Sequence, residues 1–119
     1  MDNNKAVSRE EVEKLYNILK KVQEAKGYFF NAHKETTFDL LEGLIVNKQR
    51  YGYMCCPCRI AAEDREKDKD IICPCVYRAP DVEEYGSCYC NLYVSQEWNE
   101  EKTPHVYVPE RRPPEKFGV

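Results

Sequence analysis

Hydrophobic and polar positions alternate at helical spacing near the start of the chain. Ser8 followed by Glu11 matches the S-x-x-E capping box. Val12, Leu15, Leu19 and Val22 then recur on one side until Gly27 supplies a stop. The pattern predicts an amphipathic helix over 9–26. Tyr28, Phe29 and Phe30 follow as an apolar turn or connector, and Asn31 to Thr37 is polar and rich in cap formers. A second helix is predicted over 37–50, with Phe38, Leu41, Leu44 and Ile45 on one face and Glu42, Lys48 and Gln49 pointing outward. Both stripes are read as core. Gly43 inside the second helix is read as a propensity cost, with close packing as the alternative.

After Arg50 the texture changes to YGYMCCPCRIAAEDREKDKDIICPCVYRAPDVEEYGSCYC. Residues 59–67 have helical composition, and Pro57 just ahead suits a helix entrance because its missing amide proton would be unpaired there anyway. That reading places Cys58 at a helix N-terminus. The charges from Glu63 to Asp70 alternate in sign, as on a solvated helix face. From Glu97 onward Pro104, Pro109, Pro113 and Pro114 predict extended, surface-wrapping chain with at most a short strand at His105 to Val108. The expected organisation is one mainly α domain over 1–119. Residues 1–54 form a helical support, 55–90 a chemical region of short helices and loops, and 91–119 a wrapping segment.

A length of 119 residues fits one such domain, which buries roughly two-thirds of its unfolded surface. A core of that size is thin enough for a metal centre to matter to stability. Lys and Arg total 18 against 21 Asp and Glu, and the net charge of -3 offers no electrostatic basis for nucleic-acid binding. The longest aliphatic run, Leu44-Ile45-Val46, falls far short of the roughly 20 residues that span a bilayer. The opening MDNNKAVSREEV holds no apolar signal region, so the expected location is cytoplasmic.

All seven cysteines lie between Cys55 and Cys90. In a reducing compartment such a cluster points to metal or redox chemistry rather than structural disulfides. Six of them form three Cys-x-Cys pairs: Cys56-Pro57-Cys58, Cys73-Pro74-Cys75 and Cys88-Tyr89-Cys90, with 14 and then 12 residues between pairs. Zinc ribbons use two Cys-x2-Cys knuckles, and the chain does not contain two. A disulfide within Cys-Pro-Cys would close a very tight ring, which favours pairing between units. Zinc or a cubane cluster takes four thiolates, leaving two sulfurs that suffice for one disulfide. Spacing alone leaves three classes open: a zinc-stabilised interaction module, a one-electron iron-sulfur carrier, and a cluster working beside a redox disulfide.

These residues resemble the catalytic (beta) subunit of ferredoxin-thioredoxin reductase, whose signature is two Cys-Pro-Cys units followed by Cys-His-Cys. NKQRYGYMCCPCR, DREKDKDIICPC, DVEEYGSCYC and PERRPPE all look like family segments, and the likeness covers roughly residues 8–114. The resemblance implies a 4Fe-4S cluster on Cys56, Cys73, Cys75 and Cys88, with Cys58 and Cys90 as the active-site disulfide. It implies ferredoxin as electron donor and thioredoxin or a similar protein as substrate, with Cys58 the nucleophile and Cys90 the cluster-facing sulfur. The plant enzyme's separate variable subunit has no counterpart in this chain. The chain departs from the family at Tyr89, where the family usually has His; a phenol with a pKa of about 10 is a poor base near neutrality. His33 and His105 are the candidate replacements for proton handling. The gap before the second unit is shorter than in the plant-type pattern, and the gap before the third is longer.

Cys55 fits no pair and is read as a small buried residue. The tyrosines around the cysteines are read as packing over the site. Lys48, Arg50, Arg59, Arg65, Arg111 and Arg112 are the candidate basic patch for an acidic electron donor.

Overall fold

In the computed structural model residues 6–117 are described. Helix α1 spans Arg9–Glu24 and opens on the predicted capping box. The Glu11 amide donates to Ser8 Oγ at 3.1 Å, and the Glu11 carboxylate accepts from the Ser8 amide. Gly27, at φ 91°, follows the helix end in the left-handed region that favours glycine. Val12, Leu15 and Leu19 pack inward as expected, but Val22 is 46% exposed and the neighbouring Gln23 is buried in its place.

Helix α2 covers Lys34–Tyr51, three residues longer at its start than the apolar pattern indicated. His33 is its N-cap, accepting the Thr36 amide on Nδ1 at 3.3 Å. Capping with imidazole hid this start. Phe38, Leu41 and Leu44 are buried in the main core with Val12, Phe30, Leu92 and Tyr93.

The expected apolar connector contains strand β1, Phe29–Phe30, which pairs antiparallel with strand β2, Tyr93–Val94. This two-stranded sheet ties the N-terminal half to the third cysteine pair. Tyr16, Phe30 and Tyr93 stack successively, with centroids 5.0 and 5.4 Å apart. Helix α3, Arg78–Tyr85, starts just after the second pair, and a short helix α4, Gln96–Asn99, follows β2. The C-terminal segment then runs without regular structure through 104–112, without the strand considered for 105–108, and ends in a 3-10 turn at Pro114–Phe117. The architecture is therefore mainly helical with one small sheet. Among the described residues no helix is long and apolar enough to cross a membrane.

Residues 59–67 correct the sequence reading, for they run as turns and irregular chain instead of a helix. Asp64 Oδ1 accepts the Glu66 and Lys67 amides, and buried Asp68 accepts the Ala62 amide. Glu63 adopts φ 62°. Carboxylates that capture nearby amides compete directly with the helical ladder. Cys58 consequently sits in a turn, and no helix N-terminus stands behind it.

Gly43 resolves in favour of close packing: a Cβ there would stand 2.9 Å from Pro57 Cβ. One turn on, Asn47 Nδ2 donates to the Cys55 carbonyl at 2.9 Å. Positions four apart share a helix face, so α2 grips the first cysteine pair at two points. Gly43→Ala should therefore lose about 1–3 kcal/mol through overpacking, despite the better helix propensity of alanine. A thermal melt checks this, and a melting temperature above that of the parent protein would refute it.

Candidate functional site

Backbone pairing brings the first two cysteine units together. The Cys56 amide donates to the Ile71 carbonyl and the Cys73 amide to the Met54 carbonyl, both at 2.8 Å, around an antiparallel bridge between Cys55 and Ile72. The third unit is placed by a tight turn closing on β2. The Cys88 amide donates to the Tyr93 carbonyl, the Asn91 amide donates to the Cys88 carbonyl, and Asn91 adopts φ 64°. Asn31 steadies that turn from the other side, donating through Nδ2 to the Asn91 carbonyl at 3.1 Å.

Three short segments thus converge on one cavity lined by Cys56, Cys73, Cys75, Cys88 and Cys90, with Arg59, Arg78 and Tyr93 in its wall. All seven cysteines are free thiols. Cys88 belongs to the main core, Cys56 belongs to a second core with Tyr53, Cys55 and Ile71, and Cys90 packs against both. Cys55 is fully buried in that second core, and burial pushes its thiol up to about 11. It serves as a packing residue, as the sequence reading held.

Cys58 is the exposed thiol of the set. Hydrogen bonds from Cys56 and Cys90, helped by Arg59, pull Cys58 down to about 4 against the effect of burial. The same contacts with Cys56, Cys58 and Cys88, together with burial, push Cys90 well above the ordinary thiol range. Cys58 and Cys90 are thus neighbours with opposite tendencies, the exposed sulfur favouring the thiolate and the half-buried one the thiol. Cys88 stands 3.9 Å from Cys90 and accepts the Tyr93 amide on its sulfur at 3.3 Å. Burial raises both Cys73 and Cys75.

Cys58 opens onto two surface grooves. One, of about 450 Å³, is lined by Tyr89, His105, Val106 and Tyr107, and the other by Ile60, Ala61, Lys67 and Glu110. Ile60 is 92% exposed and Tyr107 80%. Large apolar side chains therefore stand in water beside Cys58. His105 shares the groove with Cys58, stacks on Trp98 at 3.6 Å and bonds the Trp98 carbonyl through Nε2 at 2.8 Å.

The expected basic patch does not hold together. The Arg59 side chain is buried against Glu110, Arg111 pairs with Asp81 and Glu84, and buried Arg112 pairs with Asp68 and Asp70. Lys48, Arg50 and Arg65 remain at the surface. Sequence reasoning also missed Arg78. Its guanidinium lies 3.8 Å from the Tyr28 ring and 4.8 Å from that of Tyr93, donates to Gln23 Oε1 at 2.6 Å and borders the cysteine cavity. Its position three residues past Cys75, in the first turn of α3, was the available signal.

The donor set suits an iron-sulfur group. The cavity wall carries thiols, two guanidinium groups and no carboxylate, and soft sulfur ligands with N–H donors on the sulfurs are the environment such clusters use. Tyr93 adds a buried hydroxyl with no hydrogen-bond partner. Among the described residues no three His, Cys, Asp or Glu side chains are arranged to hold a single metal ion.

Comparison with known proteins agrees with the cysteine pattern. The model of the ferredoxin thioredoxin reductase catalytic beta chain matches residues 5–109. Over 72 residues the chain is 35% identical to the ferredoxin-thioredoxin reductase catalytic chain of Porphyra purpurea, covering 58% of this chain and 57% of that protein. It is 33% identical over 72 residues to the catalytic chain of Pyropia yezoensis, covering 58% of each. The aligned stretch therefore spans a little over half the length of these relatives. With the family model matched along nearly all of its length, the chain belongs to the ferredoxin-thioredoxin reductase catalytic beta chain family.

Proposed function

We propose that this protein is an iron-sulfur disulfide reductase, taking electrons singly from a ferredoxin and reducing the disulfide of thioredoxin or a thioredoxin-like protein. The observation that carries the reading is the pairing of exposed Cys58 with half-buried Cys90 beside four further thiols that line one cavity. Cys56, Cys73, Cys75 and Cys88 would hold a 4Fe-4S cluster there. When bound, the cluster supplies one-electron chemistry next to a disulfide whose reduction takes two electrons.

The chain's own residues account for the exchange steps. The Cys58 thiolate attacks one sulfur of the substrate disulfide; a mixed disulfide forms and the other substrate sulfur leaves as a thiolate. Cys90 then loses its proton and attacks the Cys58 sulfur. The Cys58–Cys90 disulfide forms, the second substrate thiolate departs, and two electrons have passed to the substrate. Cys58 is suited to attack by its exposure and its lowered pKa, and Cys90 to resolve by its contact with Cys58. Ile60, Val106 and Tyr107 supply apolar contact around the nucleophile. His105, held through Nε2 in the same groove, is placed to exchange a proton with a departing substrate thiolate.

The test is covalent trapping. The protein is reduced and mixed with a thioredoxin variant that lacks its resolving cysteine and carries an activated disulfide on the remaining one. The cross-linked peptide is then mapped by mass spectrometry. The expected link is to Cys58. Recovery at Cys90 would reverse the two roles, and recovery at Cys55 would place the seventh cysteine in the mechanism.

A further inference from the structure

Arg59 spends its three guanidinium nitrogens on two partners of opposite character. Nε donates to Glu110 Oε2 at 2.8 Å and Nη2 to Glu110 Oε1 at 2.7 Å, a fork-to-fork pair. The remaining nitrogen, Nη1, donates to Cys75 Sγ at 3.5 Å. The group is held near two aromatic faces, 4.6 Å from the Tyr89 ring and 5.2 Å from that of Tyr77. Its side chain is only 2% exposed, so water screens it little. Glu110 comes from the C-terminal segment, 51 residues away in sequence. Glu110 Oε1 also accepts the Arg112 amide at 2.9 Å, but the side chains of the next two residues have anchors of their own, Arg111 on Asp81 and Arg112 on Asp70. The segment therefore stays attached without the Glu110 carboxylate.

We propose that Arg59 and Glu110 form a charge couple that sets the reduction potential at the cysteine cavity, Arg59 through its contact with Cys75 and Glu110 by neutralising part of that positive charge. Both are positioning residues. The inference rests on the iron-sulfur reading of the site. Reduction adds negative charge, which a neighbouring cation stabilises and a neighbouring anion opposes, and hydrogen bonds to ligand sulfurs act in the same direction as the cation. Removing the carboxylate uncovers the guanidinium. Removing the guanidinium also uncovers the carboxylate. The two changes must therefore move the potential in opposite directions, a signature that general loosening of the structure does not produce.

The experiment is a spectroelectrochemical titration of the iron-loaded protein at one pH and ionic strength, comparing the parent with Glu110→Gln, Arg59→Gln and Arg59→Lys. Expected are a higher midpoint in Glu110→Gln, a lower midpoint in Arg59→Gln, and a smaller downward shift in Arg59→Lys, which keeps the charge and loses the planar fork. Should Arg59→Gln fail to take up iron, Glu110→Gln and Arg59→Lys decide the matter by the signs of their shifts. Shifts of the same sign, or an unchanged midpoint in Glu110→Gln, would overturn the proposal; lowered melting temperatures with unchanged midpoints would reduce the pair to a structural clamp and overturn it equally. Iron and sulfide analysis of the parent separates the two levels of inference. A parent without a cluster refutes the functional reading and this proposal together, whereas a loaded parent with unresponsive variants refutes the charge couple alone.

Discussion

Arg112→Ala is expected to destabilise the protein by about 3–5 kcal/mol, the range for removing one partner of a buried ion pair. Native domains hold only about 5–15 kcal/mol in all, so the loss corresponds to a fall in melting temperature of roughly 10–20 °C. The Arg112 side chain is 1% exposed. Nε donates to Asp70 Oδ2 at 2.9 Å, and Nη2 reaches both Asp70 Oδ1 and the Lys67 carbonyl. Fully buried Asp68 lies 3.8 Å away. Alanine would leave buried Asp68 and half-buried Asp70 without this counter-charge. Lys102→Ala, which breaks an exposed pair with Glu100, is the control and should leave the melting temperature unchanged.

The same variant carries a pH signature. Burial alone would raise the Asp70 carboxyl, but hydrogen bonds from Arg112 and Tyr77 outweigh it and hold the group below the usual carboxylate range. A depressed acid contributes stability that is complete above its unfolded pKa of about 4 and lost as the pH falls through the folded value. The stability gap between parent and Arg112→Ala should accordingly narrow on the acid side. A gap that widens toward low pH would contradict the assignment.

Cys73→Ser is expected to strip the protein of nearly all its iron, while Cys90→Ser and Cys55→Ser retain roughly the four irons per chain of a cubane cluster. The Cys73 amide is fixed by the Met54 carbonyl at 2.8 Å, and its sulfur lines the cavity from that anchored backbone. Serine at this position keeps the backbone bond and changes one ligand atom. Iron analysis of anaerobically purified variants, with thermal melts alongside, checks the prediction. Cys73→Ser with a full complement of iron would remove it from the ligand set, and iron loss in Cys90→Ser would place that residue in it.

Local signals in the sequence carried a good part of this molecule. The Ser8 capping box and the Val12, Leu15 and Leu19 stripe located α1, and the Cys-x-Cys spacing located the site. What escaped was decided over long sequence distances or by polar groups. Hydrophobic periodicity assigned Val22 to the core, but Gln23 is the buried residue because Arg78 supplies its partner 55 positions away. Helix-forming composition over 59–67 lost to Asp64 and Asp68, whose carboxylates take the local amides. Arg59, Arg111 and Arg112 read as a surface patch because the acids that bury or pair them lie 27 to 51 residues away. The sign of a charge is visible in sequence; its burial is not.

The bridge at Cys55 and Ile72 has an evolutionary consequence. Both ends of the intervening stretch are pinned by backbone bonds, at Cys56 to Ile71 and at Cys73 to Met54, so the length of chain between them has no bearing on where the sulfurs lie. Insertions over 63–66, beyond Arg59 and short of the Lys67 carbonyl that Arg112 holds, are then close to neutral, because lengthening a surface loop costs little closure entropy. Spacing between the first and second cysteine units should drift freely among relatives, while spacing within each unit stays fixed. A search keyed to inter-unit distances would overlook distant members of the family that one keyed to the Cys-x-Cys units and their flanking β-pairing residues would find.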